Sequence, residues 1–146
     1  MMGFFETIYY WFQGLFCRDL ADFLAGYDCN EGAFIGVYRF STIGFGTLII
    51  VAALAAVYYY VINSTRFNQW YHWLIWGAVN SLCCLLFGAL YTLYFYNEGI
   101  IGDCFNVFPS DCWMFGVANF IVSFVFYFLI SILIKWKSTN CRRTPF

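Results

Sequence analysis

The sequence predicts an all-α integral membrane protein with three transmembrane helices and an N-terminal amphipathic interfacial helix; four spans are the alternative. The first observation is composition: of 146 residues, 63% are hydrophobic and only 10% are charged, against roughly 25% charged in soluble domains. The second is charge placement, because the few charged residues leave three long uncharged runs. A small soluble domain needs polar side chains to cover its surface. The composition therefore disfavours a soluble enzyme, a nucleic-acid-binding module and a disordered tail.

The first segment, residues 1–40, is predicted to hold an amphipathic helix and an outer segment. Polar or small residues recur every three or four positions and form one stripe on a helix, at Gly3, Glu6, Thr7, Tyr10, Gln13, Gly14 and Cys17. An i,i+4 pair of Arg18 and Asp22 supports this helix, and Gly26 is typical of a residue that ends one. Only eleven uncharged residues separate Glu6 from Arg18. We therefore expect the helix to lie in the outer interface or to pack against the spans.

Processing signals and a fourth span are the alternatives for this segment. It has no basic residue before Arg18 and carries Glu6, whereas a signal peptide begins with basic residues and a transit peptide is rich in arginine and poor in acids. A fourth crossing would move the first few residues to the inner side. It would leave the orientation after residue 26 unchanged.

The transmembrane domain, residues 41–134, is located by the uncharged runs. These runs cover residues 40–65, 67–97 and 112–134, and only His72 within them titrates. Each exceeds the roughly 20 residues that a helix needs to cross about 30 Å of hydrocarbon. Backbone groups in lipid must be satisfied internally, so continuous apolar runs predict helices. We place the spans near 42–62, 73–94 and 113–134.

Charge asymmetry predicts the orientation. The first inter-span loop and the C-terminal tail, residues 135–146, contain five basic residues and no acidic one, namely Arg66, Lys135, Lys137, Arg142 and Arg143. The opposite side holds all eight acidic residues. Because basic loops stay on the cytosolic side, we expect the C-terminus in the cytosol and the 97–111 loop outside. The expected location is an inner or plasma membrane; a mitochondrial inner membrane, with the C-terminus in the matrix, is the alternative.

Four of the seven cysteines lie on the predicted outer side, at Cys17, Cys29, Cys104 and Cys112. Thiols in an oxidising compartment form disulfides, and the local pairings are Cys17 with Cys29 and Cys104 with Cys112. Four cysteines allow three connectivities, so cross-pairing stays open, as do four free thiols. Neither a C-x-x-C motif nor a pair of histidines occurs, so we expect no metal site.

The spans lack the groups that membrane enzymes and most transporters require. No Asp, Glu, Lys or Arg lies inside them, whereas proton-coupled transporters need an intramembrane ionisable group. The single histidine, His72, cannot supply the two ligands of a bis-histidine haem. No phosphate loop or nucleophile elbow occurs. We therefore expect no enzymatic activity, no catalytic residue and no cofactor.

Two spans carry small and neutral-polar residues in register. In the second span these residues are Gly77, Ser81, Cys84 and Gly88. Close approach at small residues drives helix association in lipid, so this stripe predicts a helix–helix contact. In the third span the corresponding residues are Gly116, Asn119, Ser123, Tyr127 and Ser131. This second stripe predicts either helix packing or the lining of a water-filled path.

Two functions follow from these features. The first is a homo-oligomeric membrane pore or ion-channel-like effector, since several copies could enclose a path that three helices cannot. The outer acidic residues Glu98, Asp103 and Asp111 would then form a ring that attracts cations at the mouth. The second is an accessory or structural subunit of a larger membrane complex. The expected partners are the lipid bilayer and either copies of this chain or other membrane subunits, with no nucleic acid.

Overall fold

The computed structural model describes residues 3–29, 31–34, 38–62, 70–102 and 104–135. Its helices and strands, in chain order, are α1 (Phe4–Tyr10), α2 (Arg18–Ala25), the antiparallel hairpin of β1 (Tyr27–Asp28) and β2 (Ala33–Phe34), α3 (Arg39–Ala56), α4 (Trp70–Asn97) and α5 (Pro109–Lys135). A π-helical segment, Val57–Ile62, extends α3.

Three helices are long and apolar enough to cross a membrane, which confirms the predicted fold class. In the described part of the chain they cover Arg39–Tyr60, Trp70–Asn97 and Pro109–Ile134. Each begins a few residues before the predicted span, because hydropathy marks the apolar run and not the residue at which the helix starts. The protein is therefore a small all-α integral membrane protein.

The start of α5 illustrates the difference between hydropathy and helix signals. Pro109 occupies the first helical position, where its missing N–H and fixed φ fit a helix start. The Asp111 carboxylate then accepts a hydrogen bond from the backbone N–H of Phe108 at 2.9 Å, as in one arm of a capping box. The helix consequently begins four residues before the expected position.

The N-terminal segment differs from the single predicted helix, because it folds as two. Helix α1 ends at Tyr10, residues 11–16 turn, and α2 starts at Arg18. The Cys17 sulfur accepts a hydrogen bond from the backbone N–H of Leu20 at 3.4 Å and so caps α2. Gly26 ends α2 in the left-handed region, with φ 94°, which confirms its predicted role.

Both short helices pack against the spans, which is the second of the two placements expected for this segment. Tyr9 of α1 and Leu20 and Leu24 of α2 are fully buried and share a core with Phe40 and Phe115. Helix α1 has seven residues, about 10 Å at 1.5 Å per residue, against about 30 Å of hydrocarbon. Neither α1 nor α2 is long enough to form a fourth span.

Helices α4 and α5 form an antiparallel pair, and α3 packs against both. The antiparallel direction is evident from the contacts: Gly88 lies beside Asn119, and Gly77 lies beside Tyr127. Helix α1 covers the gap between α3 and α5, where the Phe5 ring lies against Gly44. The glycine leaves room for that ring, since any side chain at this position would overlap it.

Candidate functional site

The candidate site is a line of polar side chains between the three spans, which we call the polar seam. Its members are fully buried and come from all three helices: Thr47, Asn80, Ser81, Thr92, Asn119, Ser123 and Ser131. Water is absent at this depth of a bilayer, so each polar group must find its partner within the protein. The hydrogen bonds of the seam therefore decide how the helices pack.

Asn119 is the centre of the polar seam. Its side-chain nitrogen donates to the backbone carbonyl of Cys84 at 2.7 Å. Its side-chain oxygen accepts from the Tyr9 hydroxyl at 2.7 Å and from the Thr47 hydroxyl at 3.1 Å. One amide side chain thus joins α5 to α1, α3 and α4.

Aromatic donors close the far end of the seam. The Tyr127 hydroxyl donates to the Trp73 carbonyl at 3.3 Å, and the Trp73 indole donates to the Ser131 hydroxyl at 3.0 Å. The Trp76 indole donates to the Leu54 carbonyl at 2.9 Å and so ties α4 to α3. Buried Trp and Tyr side chains usually have such partners, because their single polar group would otherwise be buried without a hydrogen bond.

The structure brings the two predicted stripes together within one chain. A side chain at Gly88 would meet Asn119 at 3.0 Å, and one at Gly77 would meet Tyr127 at 2.8 Å. All five residues of the third-span stripe are buried. The structure therefore places contacts of both stripes inside one chain.

Gly116 of the third-span stripe lies against the backbone of α4. A Cβ atom there would lie 2.9 Å from the Leu85 carbonyl oxygen and 2.9 Å from the Ala89 Cβ. Backbone atoms cannot rotate away, so α4 and α5 would have to separate. We expect Gly116→Ala to lower the free energy of unfolding by about 1–3 kcal/mol, the usual cost of overpacking.

This prediction is checked by reversible unfolding in detergent–lipid mixtures. Gly14→Ala is the matched control, since a Cβ at Gly14 meets nothing within 4 Å. Equal stability of the Gly116→Ala variant and the wild type would contradict the close approach of α4 and α5.

Two buried polar atoms of the seam have no hydrogen-bond partner among the described residues: the Asn80 side-chain oxygen and the Ser81 hydroxyl. The Asn80 nitrogen makes a long bond of 3.5 Å to the Val51 carbonyl. The Ser123 hydroxyl donates to the Phe120 carbonyl within its own helix. The middle of the seam is thus bonded less completely than the Asn119 centre.

Sequence reasoning missed Tyr9 and Thr47 as members of this network. Tyr9 lies 110 residues from Asn119 in sequence, so neither local periodicity nor hydropathy relates them. Burial raises the pKa of Tyr9 above its ordinary value, which keeps the hydroxyl protonated as a donor. Thr47 lies in an apolar run where one hydroxyl carries no positional signal.

At the end of the bundle that the charge asymmetry predicts to lie outside, which we call the outer end, a disulfide joins Cys29 to Cys104, whose Cα atoms are 6.1 Å apart. Neither local pairing forms, because the hairpin carries Cys29 over the loop between α4 and α5. Cys17 and Cys112 are free thiols. Cys17 caps α2, and its burial raises the pKa of the thiol to about 11.

The predicted charged residues are placed as follows. Asp111 caps α5, and Glu98 is exposed just beyond α4. Lys135 is the last residue of α5. The remaining predicted positions lie outside the described residues: Arg66, Asp103, Lys137, Arg142 and Arg143. Across the described ranges no three His, Cys, Asp or Glu side chains are grouped as a metal site requires.

Comparisons of this chain with protein-family models, curated proteins and solved structures find no match. The features of the chain that bear on its function are the seam, the outer end and the exposed faces. The seam holds helices together and presents no titratable group to a substrate. Its chemistry is that of helix association by close packing and interhelical hydrogen bonds.

Proposed function

We propose that this protein is a non-enzymatic structural subunit of a larger membrane complex, in which its apolar faces contact other transmembrane helices. The single observation that carries the proposal is the closure of the polar seam within one chain. Most polar side chains of the three spans are buried and hydrogen-bonded inside the chain. The faces that the spans turn outward therefore carry mostly apolar side chains. Ile49 of α3, Leu86 of α4 and Leu133 of α5 are examples of exposed apolar residues on these faces.

The homo-oligomeric pore is supported less well by this arrangement. A pore needs polar or constricting side chains on a face that several copies turn toward one axis. Asn119 and Ser123, the strongest candidates for that lining, are both 0% exposed and bonded inside the chain. Asp111, part of the acidic ring that this hypothesis places at the mouth, is used to cap α5.

We further propose that the end carrying the disulfide faces the outside, with the C-terminus in the cytosol or matrix. The disulfide and the charge asymmetry both support this orientation. The disulfide joins Cys29 to Cys104, both on the side that the charge asymmetry assigns to the exterior. Disulfides persist in oxidising compartments and are rare in reducing ones.

The proposal is tested by photo-crosslinking in the native membrane. A photoreactive amino acid is placed singly at Ile49, Leu86 and Leu133, one exposed position on each span. We expect at least one position to yield a covalent adduct with a different protein chain, in a detergent-stable particle well above the 17.1 kDa of this chain. The same variants, purified and reconstituted on their own, are the control and should give no such adduct.

Two outcomes would contradict the proposal. The first is the absence of any hetero-adduct at all three positions. The second is a self-adduct together with ion flux through liposomes that hold only this chain. Loss of that flux in Asn119→Leu or Ser123→Leu, with the oligomer intact, would establish the pore in place of the structural subunit.

A further inference from the structure

A groove between α1 and α5, which we call the lateral groove, has a volume of about 290 Å³. Its lining includes one face of each helix, namely Phe4, Ile8 and Trp11 on the α1 side and Val122, Val125 and Leu129 on the α5 side. On both sides these positions are three or four residues apart, which is the spacing of a single helix face. Within the described part of the chain, no polar atom lies on the walls of the groove.

The lateral groove lies at the depth of the membrane hydrocarbon. Helix α5 has 27 residues, so Val122 is its middle residue. Leu129 lies seven residues further on, about 10 Å along the axis at 1.5 Å per residue. With α5 centred on a hydrocarbon layer about 30 Å thick, the groove extends from the bilayer midplane into one leaflet. The bond from Tyr9 to Asn119, three residues before the middle of α5, holds α1 close to this depth.

The lateral groove has a closed floor and open sides. Val122 is only 3% exposed, whereas Val125 and Leu129 are 51% and 50% exposed. Trp11 stands at the rim with 81% of its surface exposed. The groove therefore opens sideways into the hydrocarbon, where neither water nor headgroups are present to fill it.

The width of the lateral groove selects its occupant. A volume of about 290 Å³ over a length of about 10 Å gives a cross-section of about 30 Å². A helix with its side chains is about 10–12 Å across, which corresponds to roughly 80–110 Å². The groove is therefore too narrow for a transmembrane helix of a partner, whereas an extended hydrocarbon chain is only one carbon chain wide. Apolar cavities stay dry and accept apolar ligands.

We propose that the lateral groove binds one acyl chain of a membrane phospholipid, from the leaflet that the C-terminal half of α5 crosses. The chain lies along Leu129 and Val125 with its methyl end at Val122, and it supplies the dispersion contacts that an empty groove would lack. Lys135, the last residue of α5, lies about 20 Å from the middle of the helix. This is the depth of the headgroups, where a basic residue attracts the anionic phosphate.

The test uses the full-length chain in phosphatidylcholine nanodiscs that contain a small share of the same lipid with a diazirine at the end of one acyl chain. Irradiation, digestion and mass spectrometry then locate the adducts. Leu82 is the reference position, because it lies near the middle of α4 and is 52% exposed, against 51% for Val125. We expect adducts at Val125 to exceed those at Leu82 by about threefold or more, since a groove adds dispersion contacts that a convex helix face lacks.

A variant that fills the lateral groove provides the second arm of the test. Val125→Trp adds bulk from an exposed position and should lower the labelling of Ile8 and Leu129 to the level seen at Leu82. Leu82→Trp is the matched control and should leave the labelling of the groove unchanged. Reversible unfolding in detergent–lipid mixtures reports that each variant is folded, and Leu129→Trp, with Ile8 as its readout, replaces Val125→Trp if that variant is not.

Three results would overturn the proposal. The first is equal labelling of Val125 and Leu82 in the wild type. The second is undiminished labelling of Ile8 in a folded variant with tryptophan in the groove. The third is an adduct with another protein chain from a photoreactive residue at Val125 in the native membrane, because a partner side chain would then fill the groove. The inference does not depend on the proposed function, since none of the three positions that test that function lines the groove.

Discussion

Replacing Asn119 with leucine should lower the free energy of unfolding by about 2–4 kcal/mol. The substitution removes three hydrogen bonds, to the Cys84 carbonyl and from the hydroxyls of Tyr9 and Thr47. Interhelical bonds in membranes contribute about 0.6 kcal/mol on average, but here two buried hydroxyls also lose their acceptor. An unsatisfied buried group costs about 1–3 kcal/mol, and this makes the effect larger than the sum of the bonds.

The measurement is reversible unfolding in mixed micelles, with Ile121→Leu as the control. Ile121 lies on the same helix and is exposed on the surface of the helix bundle. The change to leucine conserves its volume. A double-mutant cycle sharpens the result: Tyr9→Phe should destabilise the wild type and have little further effect once Asn119 is leucine. Additive effects would mean that the Tyr9–Asn119 bond does not stabilise the protein.

Removing the disulfide by Cys29→Ser with Cys104→Ser should destabilise the protein by a similar amount, about 2–4 kcal/mol. The bond links residues 75 positions apart, and loop-closure arithmetic for a chain of that length gives about 4.5 kcal/mol. Because α3 and α4 lie inside this loop and remain helical in the bilayer when unfolded, the constraint removes less entropy than it would from a random coil. Thermal unfolding of the double variant in nanodiscs measures the effect.

Two further observations bear on the disulfide. Cys83→Ser, at an exposed cysteine outside the disulfide, is the control and should leave stability unchanged. A membrane-impermeant reductant added to intact cells should open the bond, which a gel shift after thiol alkylation would detect. If the protein is in the plasma membrane, resistance in intact cells with reduction after lysis would reverse the proposed orientation.

The three spans could be predicted from the sequence because charge is excluded from lipid over a fixed thickness, and that constraint acts on each segment separately. The stripe around Gly77 and Gly88 could be predicted as a packing face for a different reason, namely that small residues at helical spacing allow close approach of two helices. The sequence could not show whether the stripe around Asn119 packs against other helices or lines a water-filled path. The same side chains can form hydrogen bonds with a neighbouring helix or with water.

The outer end was harder to predict because its structure depends on contacts distant in sequence. The pairing of Cys29 with Cys104 requires the hairpin to lie over the loop after α4, and no local pattern encodes that placement. The division of the N-terminal helix has a local cause: Cys17 acts as a helix cap three residues before Leu20, whereas periodicity placed it on a continuous polar stripe.

The hydrogen bond between Tyr9 and Asn119 also has a consequence for biosynthesis. Tyr9 emerges from the ribosome 110 residues before the Asn119 amide that accepts its hydrogen bond, a delay of roughly 5–20 s at ordinary rates of translation. During that interval α1 has no completed groove to occupy, because α5 has not yet been made. Helix α1 is therefore translated before the three spans but reaches its native position only after α5 has been made.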